Sequence, residues 1–166
     1  MKAKRTYLEM RNAAALSPAR LPSVQVDIAR EHACLPSTYR DLYLGVGAAY
    51  HWTDRAAWTD EQIAAHLGQP TISIFIARVT GVVAGFFELR ECEERSVEIA
   101  YFGLMPEFVG QGLGGHLLTT AVREAWQLGP TLVWVHTSTL DHEAALTNYL
   151  SRGFEVVRTE DYETER

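Results

Sequence analysis

The sequence predicts an α/β protein with a mixed sheet flanked by about four helices, and three observations carry that prediction. Three runs of strand composition, TISIFIARV (71–79), VVAGFFELREC (82–92) and VEIAYFGL (97–104), are separated only by Thr80-Gly81 and the polar turn 93–95, which is hairpin spacing. A glycine-rich turn then opens a helix with Leu113, Leu117, Leu118, Ala121, Val122, Ala125 and Trp126 on one face. After that helix the pattern returns to strand, then helix, then strand.

Taken in order, TYLEMR (6–11) reads as a short strand and 12–23 as a connection without period, so that 1–23 form an N-terminal extension. VQVDIAR (24–30) alternates Val24, Val26 and Ile28 against Gln25, Asp27 and Ala29, a half-buried strand. Pro36 opens a helix running to Tyr50, with Tyr39, Leu42, Tyr43, Val46 and Tyr50 on one face. Gly45 and Gly47 weaken it by up to about 1 kcal/mol each, and suit either a bend near a ligand or loose packing. Thr59 and Gln62 form a capping box for a helix over 60–67 that stops at Gly68 and Pro70. The apolar run 97–104 ends at Pro106, TLVWVHTSTL (131–140) is the next strand, and ALTNYLSRGFEVV (145–157) holds a helix and a final strand. Asp141 and Glu143 read as the N-cap and a first-turn acid of that last helix.

The most informative stretch is VGQGLGG (109–115). A glycine-rich turn into a helix presents unpaired N–H groups at the positive end of the helix dipole, a site for an anion such as a phosphate. Gly110, Gly112 and Gly115 fit the G-x-G-x-x-G of a dinucleotide loop. That fingerprint also needs an acid about 20 residues on, at the end of the next strand. The strand 131–140 has none before Asp141, so an NAD-dependent oxidoreductase is the weaker reading.

The same stretch resembles the acyl-CoA-binding motif of the GNAT superfamily of N-acyltransferases: a strand, a proline-containing turn, then Gln/Arg-x-x-Gly-x-Gly/Ala opening a helix. Val109, Gly110, Gln111, Gly112, Leu113 and Gly114 fill that window. Gly112 and Gly114 match, whereas Val109 stands where the family usually carries a polar or basic side chain. The block 145–157 resembles the family's closing signature, with Tyr149 placed before Gly153-Phe154 and His142 where an asparagine often opens the helix.

The resemblance implies a single-domain GNAT-like acyl-CoA N-acyltransferase fold over 1–166. Its sheet is mixed and mostly antiparallel, and its central strands, 97–104 and 131–139, splay apart. It implies an N-acetyltransferase that moves an acetyl group from acetyl-CoA to a primary amine by direct attack, without a metal. Backbone groups near Phe102 and Leu104 would pair with the pantetheine arm. Those of Val109, Gly110, Gln111, Gly112, Leu113, Gly114 and Gly115 would hold the pyrophosphate, with His142 beside them. Tyr149 matches the acid that protonates the departing thiolate, although a tyrosine sharing a face with Ala145 and Leu146 also suits a core. Glu98, the one charge inside an apolar strand, is the candidate base; the competing reading turns it to solvent. Glu88, on the neighbouring strand, would lie beside it and either raise one carboxylate's pKa or help bind a cationic substrate. His51, Trp52, Asp54 and Arg55 fall where the family builds its acceptor wall, and His136 is placed to bind the acceptor or relay a proton.

Composition bounds the rest. A net charge of −6 argues weakly against a nucleic-acid partner and suits a cationic amine, on a small molecule or a peptide. No apolar run is long enough to span a bilayer, and MKAKRTYLEM lacks the apolar core of a secretory signal. Cys34 and Cys92 form neither a metal-like spacing nor a disulfide framework, which fits a cytoplasmic setting. A homodimer is suggested by the resemblance alone. The runner-up function is a non-catalytic acyl-CoA-binding or sensing module, which shares the loop but performs no turnover.

Overall fold

The computed structural model describes residues 1–164. It contains the strands β1 (Lys2–Met10), β2 (Asp27–Arg30), β3 (Ile72–Val79), β4 (Val82–Cys92), β5 (Ser96–Leu104), β6 (Leu132–Ser138) and β7 (Glu155–Glu163). Its α-helices are α1 (Pro36–Gly47), α2 (Asp60–Leu67), α3 (Leu113–Gln127) and α4 (Ala145–Ser151). The strands form one seven-stranded sheet in the order β2-β3-β4-β5-β6-β1-β7. Every neighbouring pair is antiparallel except β5 and β6. The expected mixed, mostly antiparallel sheet is therefore present.

Both faces of the central strands are covered, which is why they read as nearly continuous apolar runs. On one face α3 packs Leu117, Leu118, Ala121 and Val122 into a core with Phe87, Val97, Ile99 and Val133. On the other, α1 and α2 bury Tyr39, Leu42, Tyr43, Val46 and Ile63 against Ile72, Ile74, Ile76 and Phe86. The period of two in β3 sends Ile74 and Ile76 to the second core and Phe75 and Ala77 to the first.

Residues 2–10 do more than the extension expected of them. β1 lies between β6 and β7, paired to β6 from Arg5↔Ser138 to Met10↔Val133. Leu8 and Met10 reach the core, while Lys2, Lys4 and Arg5 mask the alternation in the sequence. The strand expected over 24–30 shrinks to Asp27–Arg30, because β2 is an edge strand held only by β3, and Val24 is exposed. The expected capping box is formed: Thr59 Oγ1 accepts from the Gln62 N–H, and Gln62 Oε1 accepts from the Thr59 N–H. Gly45 and Gly47 reflect close packing and not loose packing. A Cβ on Gly47 would fall 2.4 Å from the Trp52 ring, and one on Gly45 would fall 2.7 Å from the Met105 sulfur.

Candidate active site

The site begins where two strands part. β5 and β6 pair only at Ser96↔Leu132, Val97↔Val133 and Glu98↔Trp134. Beyond Glu98, β5 has no partner on that side. On its other side the register with β4 slips, Glu88 facing Tyr101 and Leu89 facing Ile99, so that Ala100 is left over. Such a bulge bends a strand and increases its twist, which accounts for the separation. A cavity of about 1100 Å³ fills the wedge, running from Val109, Gly110 and Gly114 past Phe102 and Tyr149 to Trp52 and Asp54.

The glycine loop is shaped by two residues in the left-handed region, Gly110 (φ 84°) and Gly112 (φ 78°). Gly112 is the N-cap of α3, and no side chain caps the helix there. The first-turn N–H groups are thus available to an anion. Gln111 turns away and donates to the Glu107 carbonyl at 2.8 Å. Leu113 is buried. Neither of them, nor Gly112, lines the cavity, which Val109, Gly110, Gly114 and Gly115 do. Gly115 is small for a packing reason: a Cβ there would meet Arg152 Nη1 at 2.6 Å and Ala19 Cβ at 2.8 Å. Asn148 ties α4 to this turn by donating to the Gly114 carbonyl at 3.1 Å.

Tyr149 lines the cavity with its ring against Phe102 and Phe154. Its hydroxyl has no hydrogen-bond partner among the described residues. Burial, reinforced by the charge of Asp141, pushes its pKa well above the ordinary phenol value, so the hydroxyl keeps its proton at neutral pH. Glu98 sits at the last paired rung. Its Oε1 accepts from Arg90 Nε at 2.9 Å and Arg90 Nη2 at 2.8 Å, while Oε2 faces His136 Nε2 at 3.8 Å. The Glu98 side chain is 8% exposed and that of His136 39%. Burial depresses the His136 pKa, outweighing the upward pull of Glu98, so the imidazole is neutral at pH 7.

The far wall comes from residues 50–55. Trp52 stacks edge-on against Tyr101 at 4.9 Å and points Nε1 at Asp141 Oδ1, 3.4 Å away. Asp141 is not the N-cap of α4, as its position suggested; that helix starts behind Ala144 with no side-chain cap. Asp141 Oδ2 instead accepts from Thr137 Oγ1 at 2.6 Å and the Ser138 N–H at 2.8 Å, fixing the end of β6. Glu143 likewise precedes α4, on the cavity wall and not in the first turn. His142 lines the cavity too, its Nδ1 accepting from the Ala144 N–H at 3.0 Å and its ring beside Tyr50. His51 is an exposed part of the same wall.

Glu88 requires a correction. It is fully buried between β4 and the helices and does not line the cavity. It accepts from Tyr39 Oη at 2.7 Å, from Arg55 Nη1 at 2.8 and 2.9 Å, and lies 3.0 Å from His66 Nε2. Burial works to raise its pKa, but the His66 hydrogen bond, the Arg55 charge and the Tyr39 hydroxyl together hold it below the usual value. Glu88 and Glu98 each have their own arginine, Arg55 and Arg90. Through this network Arg55 anchors the far wall of the cavity, its guanidinium lying over the Tyr101 ring at 4.6 Å and the Trp58 ring at 4.9 Å.

The sequence pattern over residues 36–154 matches the acetyltransferase (GNAT) family. The chain belongs to that family. A mycothiol acetyltransferase from Mycolicibacterium gilvum is 28% identical over 126 residues, covering 68% of this chain and 41% of the relative. The chain thus spans less than half of that relative's length. A GCN5-related N-acetyltransferase from Sphaerobacter thermophilus superposes with a TM-score of 0.74 at 13% identity, over 95% of this chain and 49% of the other. An aminoglycoside acetyltransferase from an uncultured soil metagenomic sample, solved with sisomicin, gives a TM-score of 0.63 at 18% identity, over 76% and 87% of the two chains. These two likenesses are of fold.

GNAT proteins use acetyl-CoA as co-substrate. The residues of this GNAT domain fit it: an uncapped helix N-terminus at Gly112, a β5 edge without a strand partner beyond Glu98, and one cavity joining them. Among the described residues no helix is long and apolar enough to cross a membrane, and no three His, Cys, Asp or Glu side chains are grouped to hold a metal.

Proposed function

We propose that the protein is an N-acetyltransferase that moves the acetyl group of acetyl-CoA onto a primary amine, on a small molecule or a peptide, by direct attack. The observation that carries this reading is the joining, in one cavity, of the glycine turn, the free edge of β5, Tyr149 and the Glu98–His136 pair. Acetyl-CoA supplies an acyl thioester open to attack. The free N–H and C=O groups of β5 near Phe102 and Leu104 hold its pantetheine arm as an added strand, and the loop N–H groups hold the pyrophosphate.

His136 takes the proton from the attacking amine, because it is neutral and the more exposed of the pair. Glu98, ion-paired with Arg90, stabilises the imidazolium that results. Tyr149 gives its proton to the departing sulfur. His51 and Trp52 bound the acceptor's side of the cavity.

The test is thiol release from acetyl-CoA with an amine panel across pH. A base whose pKa lies below the ordinary histidine value, about 6.5, stays active through neutrality. Activity is lost only as pH falls through the lowered value. His136→Gln is expected to reduce kcat about a hundredfold and to remove that acid limb. A limb that persists in the variant assigns the base elsewhere. Acetyl-CoA binding with no thiol release from any amine favours the binding module.

A further inference from the structure

Three adjacent strands line up a chain of ionisable side chains where the wedge begins. Arg90 on β4 is the cross-strand partner of Glu98 on β5, and Glu98 stands at the last paired rung with β6, opposite Trp134. His136 follows two residues beyond that rung, on the same face of β6 as Trp134. Arg90, Glu98 and His136 all line the cavity. The chain is lopsided. Both contacts from Arg90, at 2.9 and 2.8 Å, fall on Glu98 Oε1, whereas Oε2 stops 3.8 Å from His136 Nε2. That last distance is too long for a hydrogen bond.

A carboxylate hydrogen-bonded to an imidazole favours its protonated form, and a cation held on that carboxylate weakens the pull. Other titratable and charged groups also face the ring: Arg5 and Tyr7 from β1, Asp141 after β6 and Asp54 after α1. Arg5 opposes a proton on the ring, while Asp141 and Asp54 favour one. Of the three acids, Glu98 alone comes within ion-pair distance among the described residues, and of all these charges it weighs most on the ring. The position at which Glu98 is held therefore governs His136.

We infer that Arg90 is a positioning residue for acetyl transfer: it ties Glu98 to β4 and so denies His136 the carboxylate hydrogen bond that would keep the ring protonated. The pair adds little to folding, because the Arg90 side chain is 45% exposed. The inference rests on the acetyl-transfer reading only in taking His136 as the base, and the tie is read without turnover.

Histidine NMR of the full chain across pH tests it, with His136→Gln identifying the signal among the six histidines. In the wild type His136 is expected to titrate below the ordinary value of about 6.5. Arg90→Met, which keeps the stem and removes the donors, is expected to raise that midpoint by about 1 pH unit. Arg90→Gln, which removes the charge but keeps a donor, should raise it too, and carries the test if the methionine variant does not fold. In a Glu98→Gln background the Arg90 substitution should leave the midpoint nearly unmoved, because no carboxylate is released. A midpoint that stays put when Arg90 is replaced, or a rise just as large in the Glu98→Gln background, overturns the inference. The acid limb of thiol release should climb with the midpoint. If His136 shifts and the limb does not follow, the base assignment fails and the tie to Glu98 stands.

Discussion

Replacing Arg55 with methionine is expected to lower folding stability by about 3–5 kcal/mol, the cost of stranding a buried carboxylate. Glu88 has no exposed surface, and Arg55 is its only arginine among the described residues, with a side chain only 14% exposed. His66 and Tyr39 remain, but neither brings a permanent positive charge. Adding Glu88→Gln in the same chain removes the stranded charge, so the double variant should recover much of the loss. Urea unfolding of the two variants checks this. If Arg55→Met alone unfolds at the wild-type midpoint, the network does not hold the wall. Because Arg55 also lies over Tyr101, the single variant should loosen the far wall of the cavity as well as the fold.

Tyr149→Phe is expected to lower kcat about a hundredfold, within the range of a lost general acid. Folding and acetyl-CoA affinity should barely change, because the hydroxyl makes no hydrogen bond to the described protein and the ring keeps its packing against Phe102 and Phe154. Steady-state thiol release beside a thermal unfolding curve separates the two roles. Wild-type turnover in the variant would reduce Tyr149 to a core residue. A large loss of stability would point the same way.

How much of this was legible in the sequence differs by residue. The hairpin strands, the capping box of Thr59 and Gln62, and the burial of Tyr39, Leu42, Tyr43 and Val46 followed from periodicity and turn chemistry. Those are local signals, set by residues near one another in the chain. The place of β1 between β6 and β7 was not legible, since strand order depends on pairings more than a hundred residues apart. The cavity wall showed the same divide. The glycine loop and Tyr149 carry recognisable spacing, but the partners of Glu88 are Tyr39, Arg55 and His66, drawn from α1, the following loop and α2. Nothing local announces such a set. Asp141 was misread because an acid ahead of a helix looks like a cap, whereas its nearest donors lie behind it, on β6. The one hint was its position just after Ser138, where a side chain can fold back on its own strand end.

The central claim is that the wedge between β5 and β6 takes acetyl-CoA. The most direct measurement is the thermal midpoint of the wild-type protein with and without acetyl-CoA, with NAD as the control. Binding to the folded state alone stabilises by RT ln(1 + [L]/Kd), about 2.7 kcal/mol at a hundredfold excess over Kd. A rise with acetyl-CoA and none with NAD is the predicted result. A rise with NAD alone, or no shift with acetyl-CoA at millimolar concentration, would contradict the account.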